Sequence, residues 1–188
     1  DGTLEIPYVE SHKPSPLNVY GRSKAESEVK VLSLYSEALV VRTSSFFGPW
    51  DQFNFATNIL KDLSLKKKVF VCRDIKVSPT YIPDLVHTCL DLLLDGEYGL
   101  LHLANEGALS WAEFARVVAD QANQRNFCLD TCLDISLDTS LIIEKNLAEL
   151  NLRAPRPRNS VLTSEKIKVM PTFENAVSRY FSELEIRI

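Results

Sequence analysis

The chain has 188 residues and a mass of 21.2 kDa, with 45% hydrophobic and 24% charged side chains, enough for one globular domain or two small ones. No stretch reaches the roughly 18 apolar residues of a membrane-spanning helix. The net charge of −4, from 25 acidic and 21 basic residues, is unlike that of proteins that follow a phosphate backbone. We therefore expect a cytoplasmic protein with neither membrane nor nucleic acid as a partner.

The cysteines and histidines lack the spacing of a metal or redox site. The four cysteines form no CxxC pair, and the three histidines are scattered. Free thiols in a reducing compartment are the simplest interpretation, and we expect no metal ion. The cysteines are Cys72, Cys89, Cys128 and Cys132.

Residues 1–16 are polar and rich in proline, which predicts a surface loop. Helical spacing of apolar residues from 18 to about 35 predicts an amphipathic helix. The continuously apolar run 38–41 then predicts a parallel strand covered on both faces. Further along, the pattern predicts a loop at 42–49, helices at 53–63, 83–94, 110–122 and 173–184, and strands at 69–72 and 100–103.

Helices that alternate with short apolar strands indicate a layered α/β fold. Ser110 and Glu113 match the S-x-x-E capping box, which places the start of one helix. Residues 127–157 give a mixed signal, in which strand and helix both remain open.

The most informative pair of residues is Tyr20 and Lys24, which stand four positions apart at the start of the first predicted helix. Four residues are about one helical turn, so both side chains can reach a common ligand. A nearby ammonium favours the phenolate form of a tyrosine, and such a pair can donate a proton to a carbonyl that receives a hydride. Taken alone the spacing is weak, because tyrosine and lysine are common residues.

The residues around this pair resemble the catalytic segment of dTDP-4-dehydrorhamnose reductases, in the extended short-chain dehydrogenase/reductase superfamily. Pro7–Glu10 and Pro14–Glu26 contain that segment, and the similarity continues over nearly the whole chain, with only the 130s to 150s loose. Its later parts are Arg42–Ser44, Phe47–Gly48, Asn54–Phe55, Ser78–Tyr81, Asp84–Leu85, His102–Asn105, Ser110–Trp111, Arg156–Pro157 and Pro171.

The resemblance implies a function for several residues. Tyr20 would donate the proton to the 4-keto oxygen of the sugar, and Lys24 would assist it and hold the nicotinamide ribose of NADPH or NADH. Contacts with the cofactor are also implied for Arg42, Thr43 and Ser44. Contacts with the dTDP-sugar substrate are implied for Ser45, Phe47, Asn54 and Arg156, the last because guanidinium groups suit diphosphate oxygens. Arg153 and Arg158 are candidates of the same kind as Arg156, and for Asn54 and these three arginines a structural or solvated role is an equal alternative.

The sequence departs from the family pattern in three places. Ser45 stands where the family commonly has tryptophan, and 74–77 lacks the usual lead-in to the Ser-Pro-Thr-Tyr segment. The six glycines include no Gly-rich dinucleotide-binding motif, and the family's catalytic serine or threonine would lie before residue 1. The isolated chain is therefore expected to be inactive and to have no measurable affinity for a dinucleotide.

The resemblance further implies an incomplete Rossmann-like sheet that lacks its N-terminal half. The whole chain would form a single domain fragment, with about 1–72 as the second half of the sheet and about 73–188 as a small mixed α/β substrate-binding portion. A sheet cut in this way would expose a strand edge and apolar surface.

Two functional hypotheses follow. The first is the catalytic-tyrosine and substrate-binding part of an NAD(P)H-dependent dTDP-4-dehydrorhamnose reductase. The second is a non-catalytic sugar-nucleotide-binding or structural domain derived from that family. The expected partners are the dTDP-sugar, the missing N-terminal half or a fused domain, and in a homodimer a second copy of the chain.

Overall fold

The computed structural model describes residues 1–127, 136–167 and 170–185. It has an α/β fold in which helices pack against several small sheets. The helices are α1 (Val19–Leu34), α2 (Phe55–Ser64), α3 (Ile82–Leu94), α4 (Trp111–Gln124) and α5 (Phe173–Glu185), with short 3-10 helices at Thr139–Leu141 and Leu147–Leu150.

The strands are short and mostly parallel. They are β1 (Leu39–Arg42), β2 (Phe46–Phe47), β3 (Val69–Cys72), β4 (Lys76–Val77), β5 (Thr80–Tyr81), β6 (Gly99–His102), β7 (Asn105–Glu106), β8 (Leu109–Ser110), β9 (Ile142–Lys145), β10 (Asn159–Ser160) and β11 (Met170–Thr172). Parallel pairs join β1 to β6, β2 to β5, β3 to β9 and β7 to β11, while β4 lies between β10 and antiparallel β8. Strands from residues 1–72 therefore pair with strands from residues 73–188, the two portions distinguished in the sequence.

The predicted helices and strands are found within two residues of their expected ends. The capping box is also present, since Ser110 Oγ accepts from the Glu113 N–H and the Glu113 carboxylate accepts from the Ser110 N–H. In the segment where the sequence gave a mixed signal, β9 and the two 3-10 helices form.

Aromatic side chains form the centre of the main core. Phe47 is fully buried, and its ring centre lies 5.3 to 5.9 Å from those of Tyr81, Phe114, Phe173 and Tyr180. These residues come from β2, β5, α4 and α5, so one ring joins four elements. Edge-to-face contacts of this kind add to the stability gained by burying the apolar surface.

The prediction that residues 38–41 form a strand covered on both faces is wrong in its burial. All four residues of β1 are only half-buried. Among the described residues β1 pairs on one edge only, with β6, so its other edge is open. The apolar run predicts that a strand forms, but the burial of that strand depends on which elements pack over it.

Helix α1 borders the same open side of the molecule. None of its residues is buried, and Val19, Val29 and Leu34 are 70 to 87% exposed. Its half-buried residues recur at helical spacing, and one of them, Glu28, contacts Arg42 of β1. They are Gly21, Ala25, Glu28 and Leu32. The strand edge and apolar surface expected from the sequence are therefore found at β1 and α1.

The remaining expectations concern cysteines and membrane. Cys72 is buried and Cys89 half-buried, and both are free thiols, while Cys128 and Cys132 lie outside the described residues. Within the described ranges, no helix has the length and apolar character needed to cross a membrane.

Candidate active site

Tyr20 and Lys24 project from the first two turns of α1. Asn18 caps this helix, and its side-chain oxygen accepts from the Gly21 N–H at 2.8 Å, which fixes where the helix begins. The Lys24 ammonium lies over the Tyr20 ring, 5.5 Å from its centre. Tyr20 is 69% exposed, so the phenol is open to a ligand.

Residues 43–45 form the loop that follows β1 beside Tyr20. The Thr43 hydroxyl is buried and has no hydrogen-bond partner within the described part of the chain. Ser45 adopts a φ of +39°, a left-handed conformation that is uncommon outside glycine. Its carbonyl accepts from the Thr80 N–H at 2.9 Å, which holds this turn against β5. A buried unpaired hydroxyl and an unusual backbone angle are features that cluster at functional sites.

Tyr20 lines two cavities, and the first also has Pro16, Leu17 and Asn18 in its wall. Its volume is about 690 Å³, and Tyr20 and the 43–45 loop form one wall. The opposite wall is largely apolar, with Arg156 as a cationic member. The apolar wall includes Phe55, Phe70, Cys72, Ile75, Trp111 and Leu150.

Cys72 lines this cavity, and its thiol is hydrogen-bonded to Asp74. Burial raises the pKa of the Cys72 thiol, and the hydrogen bond from Cys72 Sγ to Asp74 Oδ1 (3.1 Å) adds to the shift. Burial would raise the pKa of Asp74, but the bonds from the Cys72 thiol and the Leu147 N–H outweigh it and lower that pKa. The thiol is thus a neutral donor that helps to shape the cavity wall.

The second cavity lies on the other side of the phenol and has a volume of about 540 Å³. Lys24 lines this cavity but not the first, whereas Tyr20, Thr43 and Ser44 line both. Arg42 also lines it, with a guanidinium that is paired to the Glu28 carboxylate at 2.7 Å. The two cavities therefore meet at the tyrosine and the residues after β1.

Arg156 reaches the first cavity from a loop that is fixed on both sides. The carbonyl of Pro155 accepts from the Asn18 side chain at 3.0 Å. Pro157 packs against Gly2, where a Cβ atom would lie 2.4 Å from the Pro157 Cβ, and where φ is +76°. Only glycine fits this crossing, which ties the N-terminal segment to the loop carrying the arginine.

Two of the residues predicted to contact substrate lie elsewhere. Phe47 belongs to the aromatic core, and it lines neither cavity. Asn54 is buried at the start of α2, where its side chain accepts from the Thr57 N–H at 3.0 Å and donates to the carbonyls of Gly48 and Asp51. The hydrogen-bonding groups of Asn54 are used by the protein itself, and we propose no ligand contact for either residue.

The cavity walls also contain residues that the sequence did not single out. Phe70 and Cys72 lie on β3, and Leu150, in the 3-10 helix that follows β9, is brought to them by the pairing of β3 with β9. Thr43 was expected at the site, but its unpaired hydroxyl could not be foreseen. In the described ranges, no three histidine, cysteine or acidic side chains approach closely enough to hold a metal ion.

Comparison with known proteins places these features in one family. Residues 1–186 match the family described as the RmlD substrate binding domain. A dTDP-4-dehydrorhamnose reductase of Aggregatibacter actinomycetemcomitans is 30% identical over 174 residues, which are 89% of this chain and 56% of that protein. A dTDP-4-keto-6-deoxy-D-glucose reductase of Streptomyces niveus is 34% identical over 118 residues, 62% of this chain and 41% of that protein.

A solved structure shares the fold. The dTDP-4-dehydrorhamnose reductase of Bacillus anthracis, in complex with NADP, superposes with a TM-score of 0.84 at 28% identity. The alignment covers 97% of this chain and 61% of the other, so the chain matches only about two-fifths to three-fifths of the length of these reductases. Because the family model matches the chain over nearly its full length, this chain belongs to the RmlD substrate binding domain family.

Proposed function

We propose that this chain is the catalytic-tyrosine and substrate-binding portion of an NAD(P)H-dependent reductase that acts on the 4-keto group of a dTDP-6-deoxysugar. The observation that carries the proposal is the position of Tyr20. Its phenol is exposed where two cavities meet, one turn before Lys24. A reductase needs such an arrangement, because its proton donor must face both the hydride donor and the ketone.

The chemistry of the two cavities supports different ligands. The first combines an apolar wall with Arg156, which suits a nucleotide sugar that has a flat base and an anionic diphosphate. The second contains Lys24, which suits the hydroxyl groups of a nicotinamide ribose. The unpaired Thr43 hydroxyl stands at the junction, where a ligand would supply its missing partner.

The residues of this chain would then act as follows. When bound, NAD(P)H supplies a hydride to the carbonyl carbon of the sugar. The Tyr20 phenol donates its proton to the carbonyl oxygen, so that the ketone becomes an alcohol and the tyrosine is left as phenolate. The Lys24 ammonium stabilises that phenolate until the proton is replaced from solvent. Tyr20, Lys24, Thr43 and Ser44 are the residues that would hold the nicotinamide ribose.

The test is the rate of NADPH oxidation with a dTDP-4-keto-6-deoxysugar, measured on the polypeptide as the gene encodes it. Tyr20→Phe is expected to lower kcat at least about 100-fold, the usual contribution of a positioned proton donor. Tyr35→Phe is the matched control, since Tyr35 is also exposed and caps the other end of α1. Full activity of Tyr20→Phe would refute the assigned role.

The alternative, a non-catalytic binding domain, makes a different prediction in the same experiment. It expects binding of dTDP to the wild-type protein, seen by calorimetry, with no oxidation of NADPH at any substrate concentration. Binding without turnover would therefore replace the reductase proposal with the binding-domain one.

A further inference from the structure

Arg42 on β1 and His102 on the paired strand β6 together contact three further segments of the chain. The Nε and Nη2 atoms of Arg42 donate to the two carboxylate oxygens of Glu28 on α1, at 2.9 and 2.7 Å. Its Nη1 lies 3.3 Å from Nε2 of His102 on β6. The other ring nitrogen of His102 lies 3.1 Å from the carbonyls of Tyr8 and Thr163, one near each end of the chain.

These contacts fix the protonation of His102. A guanidinium can only donate, so Nε2 of His102 must accept from Arg42 and carries no hydrogen. The Nδ1 atom therefore carries the hydrogen and donates to the carbonyls of Tyr8 and Thr163. His102 is only 3% exposed, and a proton on Nε2 would place two donors face to face in a buried site. The imidazole is thus neutral, with its proton on Nδ1.

A carboxylate completes this arrangement on the other side of the histidine. The backbone N–H of His102 donates to Glu10 Oε1 at 2.8 Å, and the Glu165 N–H donates to the other oxygen of Glu10 at 3.0 Å. The Ser164 hydroxyl also donates to Glu10 Oε1, at 2.5 Å. The segments around Glu10 and Glu165 are thereby held against β6.

Helix α1 depends on this arrangement because little else holds it. It has no buried residue, and its half-buried side chains are Ala25, Glu28 and Leu32, with Gly21 at its start. Beyond the Asn18 cap, the bidentate pair with Arg42 fixes the middle of the helix, and both side chains are only 20% exposed. Glu28 lies one turn beyond Lys24 and two turns beyond Tyr20, so the pair fixes the part of α1 that carries the proposed active site.

We propose that Glu28, Arg42 and His102 form a positioning relay that locks α1 onto β1 and so sets Tyr20 and Lys24 against the loop after β1. The effect of this relay on catalysis rests on the proposed reductase function. The attachment of α1 to β1 does not, because it is a property of this chain. The proposal also changes the role expected for Arg42. All three of its nitrogen atoms already have partners within the protein, so it acts through α1 and not by binding the cofactor.

Hydrogen exchange of the 188-residue chain tests the lock directly. Glu28→Gln removes the charge of the pair and is expected to speed exchange of the α1 amides about tenfold, the opening expected on loss of one charge-assisted hydrogen bond. Glu26→Gln, on the exposed side of the same helix, is the matched control and is expected to leave exchange unchanged. Equal exchange in the two variants would overturn the relay.

Arg42→Lys is a second variant, because it keeps the charge but loses the planar fork. It is expected to speed α1 exchange severalfold while the amides of α4 and α5 keep their rates. The ¹⁵N shifts of the His102 ring should identify Nδ1 as the protonated nitrogen in the wild-type chain. A proton on Nε2, or a uniform rise in exchange over all helices, would contradict the proposal.

Kinetics on the gene-encoded polypeptide separates this proposal from the one on function. Glu28→Gln and Arg42→Lys are both expected to lower kcat about 10- to 100-fold, as for small displacements of catalytic groups. Both side chains line the second cavity, but their hydrogen-bonding groups are engaged with each other and with His102, so the Kd for NADPH is expected to stay within about twofold. A Kd that rises in Arg42→Lys alone would show direct binding and refute the relay. A wild-type protein without turnover would refute the reductase, while hydrogen exchange would still decide the relay.

Discussion

The ammonium of Lys24 lies over the ring of Tyr20, 5.5 Å from its centre, and these residues are one turn apart on α1. A cation over an aromatic face is attracted by the negative potential of the ring. Because both side chains leave the same face of one helix, their relative position does not depend on distant contacts. The pair is therefore a preformed unit, and the rest of the fold only has to present it to the ligands.

This relationship predicts how Lys24 variants behave. In the gene-encoded polypeptide, Lys24→Met is expected to lower kcat about 100-fold, because the phenolate left by proton transfer loses its cation. Lys24→Arg keeps the charge and is expected to retain most of the activity. Lys30→Met, at an exposed position farther along α1, is the control. The measurement is NADPH oxidation at saturating substrate, and equal rates for Lys24→Met and the control would contradict the role of Lys24.

The unpaired hydroxyl of Thr43 predicts opposite effects on stability and on binding. A buried hydroxyl without a partner costs about 1 to 3 kcal/mol, so Thr43→Val is expected to leave the free energy of unfolding unchanged or to raise it. Thr80→Val is the matched control, because the Thr80 hydroxyl is buried and donates to the Ser78 carbonyl. That variant is expected to lose about 1 kcal/mol.

The same Thr43 variant is expected to bind ligand less well. Urea unfolding of the gene-encoded polypeptide with and without dTDP or NADPH would show a smaller ligand-induced stabilisation in Thr43→Val than in the wild-type protein. If Thr43→Val destabilises the protein as much as Thr80→Val does, the Thr43 hydroxyl has a hydrogen-bond partner in the folded protein. It would then no longer support a ligand site at the junction of the two cavities.

Local sequence signals were sufficient where a side chain acts within its own element. The helix predicted over 18 to about 35 and the four-residue spacing of Tyr20 and Lys24 are both local signals, and the structure has α1 at Val19–Leu34. Burial could not be derived in the same way. Phe46 and Phe47 are adjacent in β2 and point to opposite faces, so one is 49% exposed and the other fully buried. Nothing in the sequence says which of the two faces the core.

Long-range contacts set the remaining features of the site. Arg42 was expected to meet a cofactor, but its partners are Glu28, 14 residues earlier, and His102, 60 residues later. The Arg156 loop is placed by Asn18 and by Gly2, which are more than 130 residues away in sequence. Such pairs become visible only when the chain is folded.

The buried His102 predicts how stability depends on pH. Burial lowers the pKa of His102 below its ordinary value of 6.5, and Arg42 lowers it further, while Glu10 opposes them. The unfolded chain therefore binds a proton more readily than the folded protein. The stabilisation is present above pH 6.5 and is lost as the pH falls from there through the lower folded pKa, by at most about 1.4 kcal/mol per pH unit.

Urea unfolding between about pH 7.5 and about pH 5 measures this loss, and His102→Asn is the variant that removes the titrating group. The His102→Asn variant is expected to be less stable than wild type at the upper pH, but to lose less stability on acidification. Hydrogen bonds from Ser164, Glu165 and His102 outweigh burial and lower the pKa of Glu10, so Glu10 takes up its proton at a pH below the measured range. A parallel decline in both proteins would assign the pH dependence to other groups.

Arg156 provides the last test, because it is the cation on the wall of the first cavity. The proposed dTDP-sugar carries two phosphates, and a guanidinium that contacts them contributes a charge-assisted hydrogen bond of about 1.5 to 3 kcal/mol. Arg156→Ala is therefore expected to weaken dTDP binding about 10- to 100-fold in calorimetry. Added salt is expected to weaken dTDP binding more in the wild-type protein than in the variant. Arg153→Ala, in the same exposed loop but outside the cavity, is the matched control. Equal affinity in the two variants would place the diphosphate elsewhere, because the flanking contacts of Pro155 and Pro157 hold the loop in place in both.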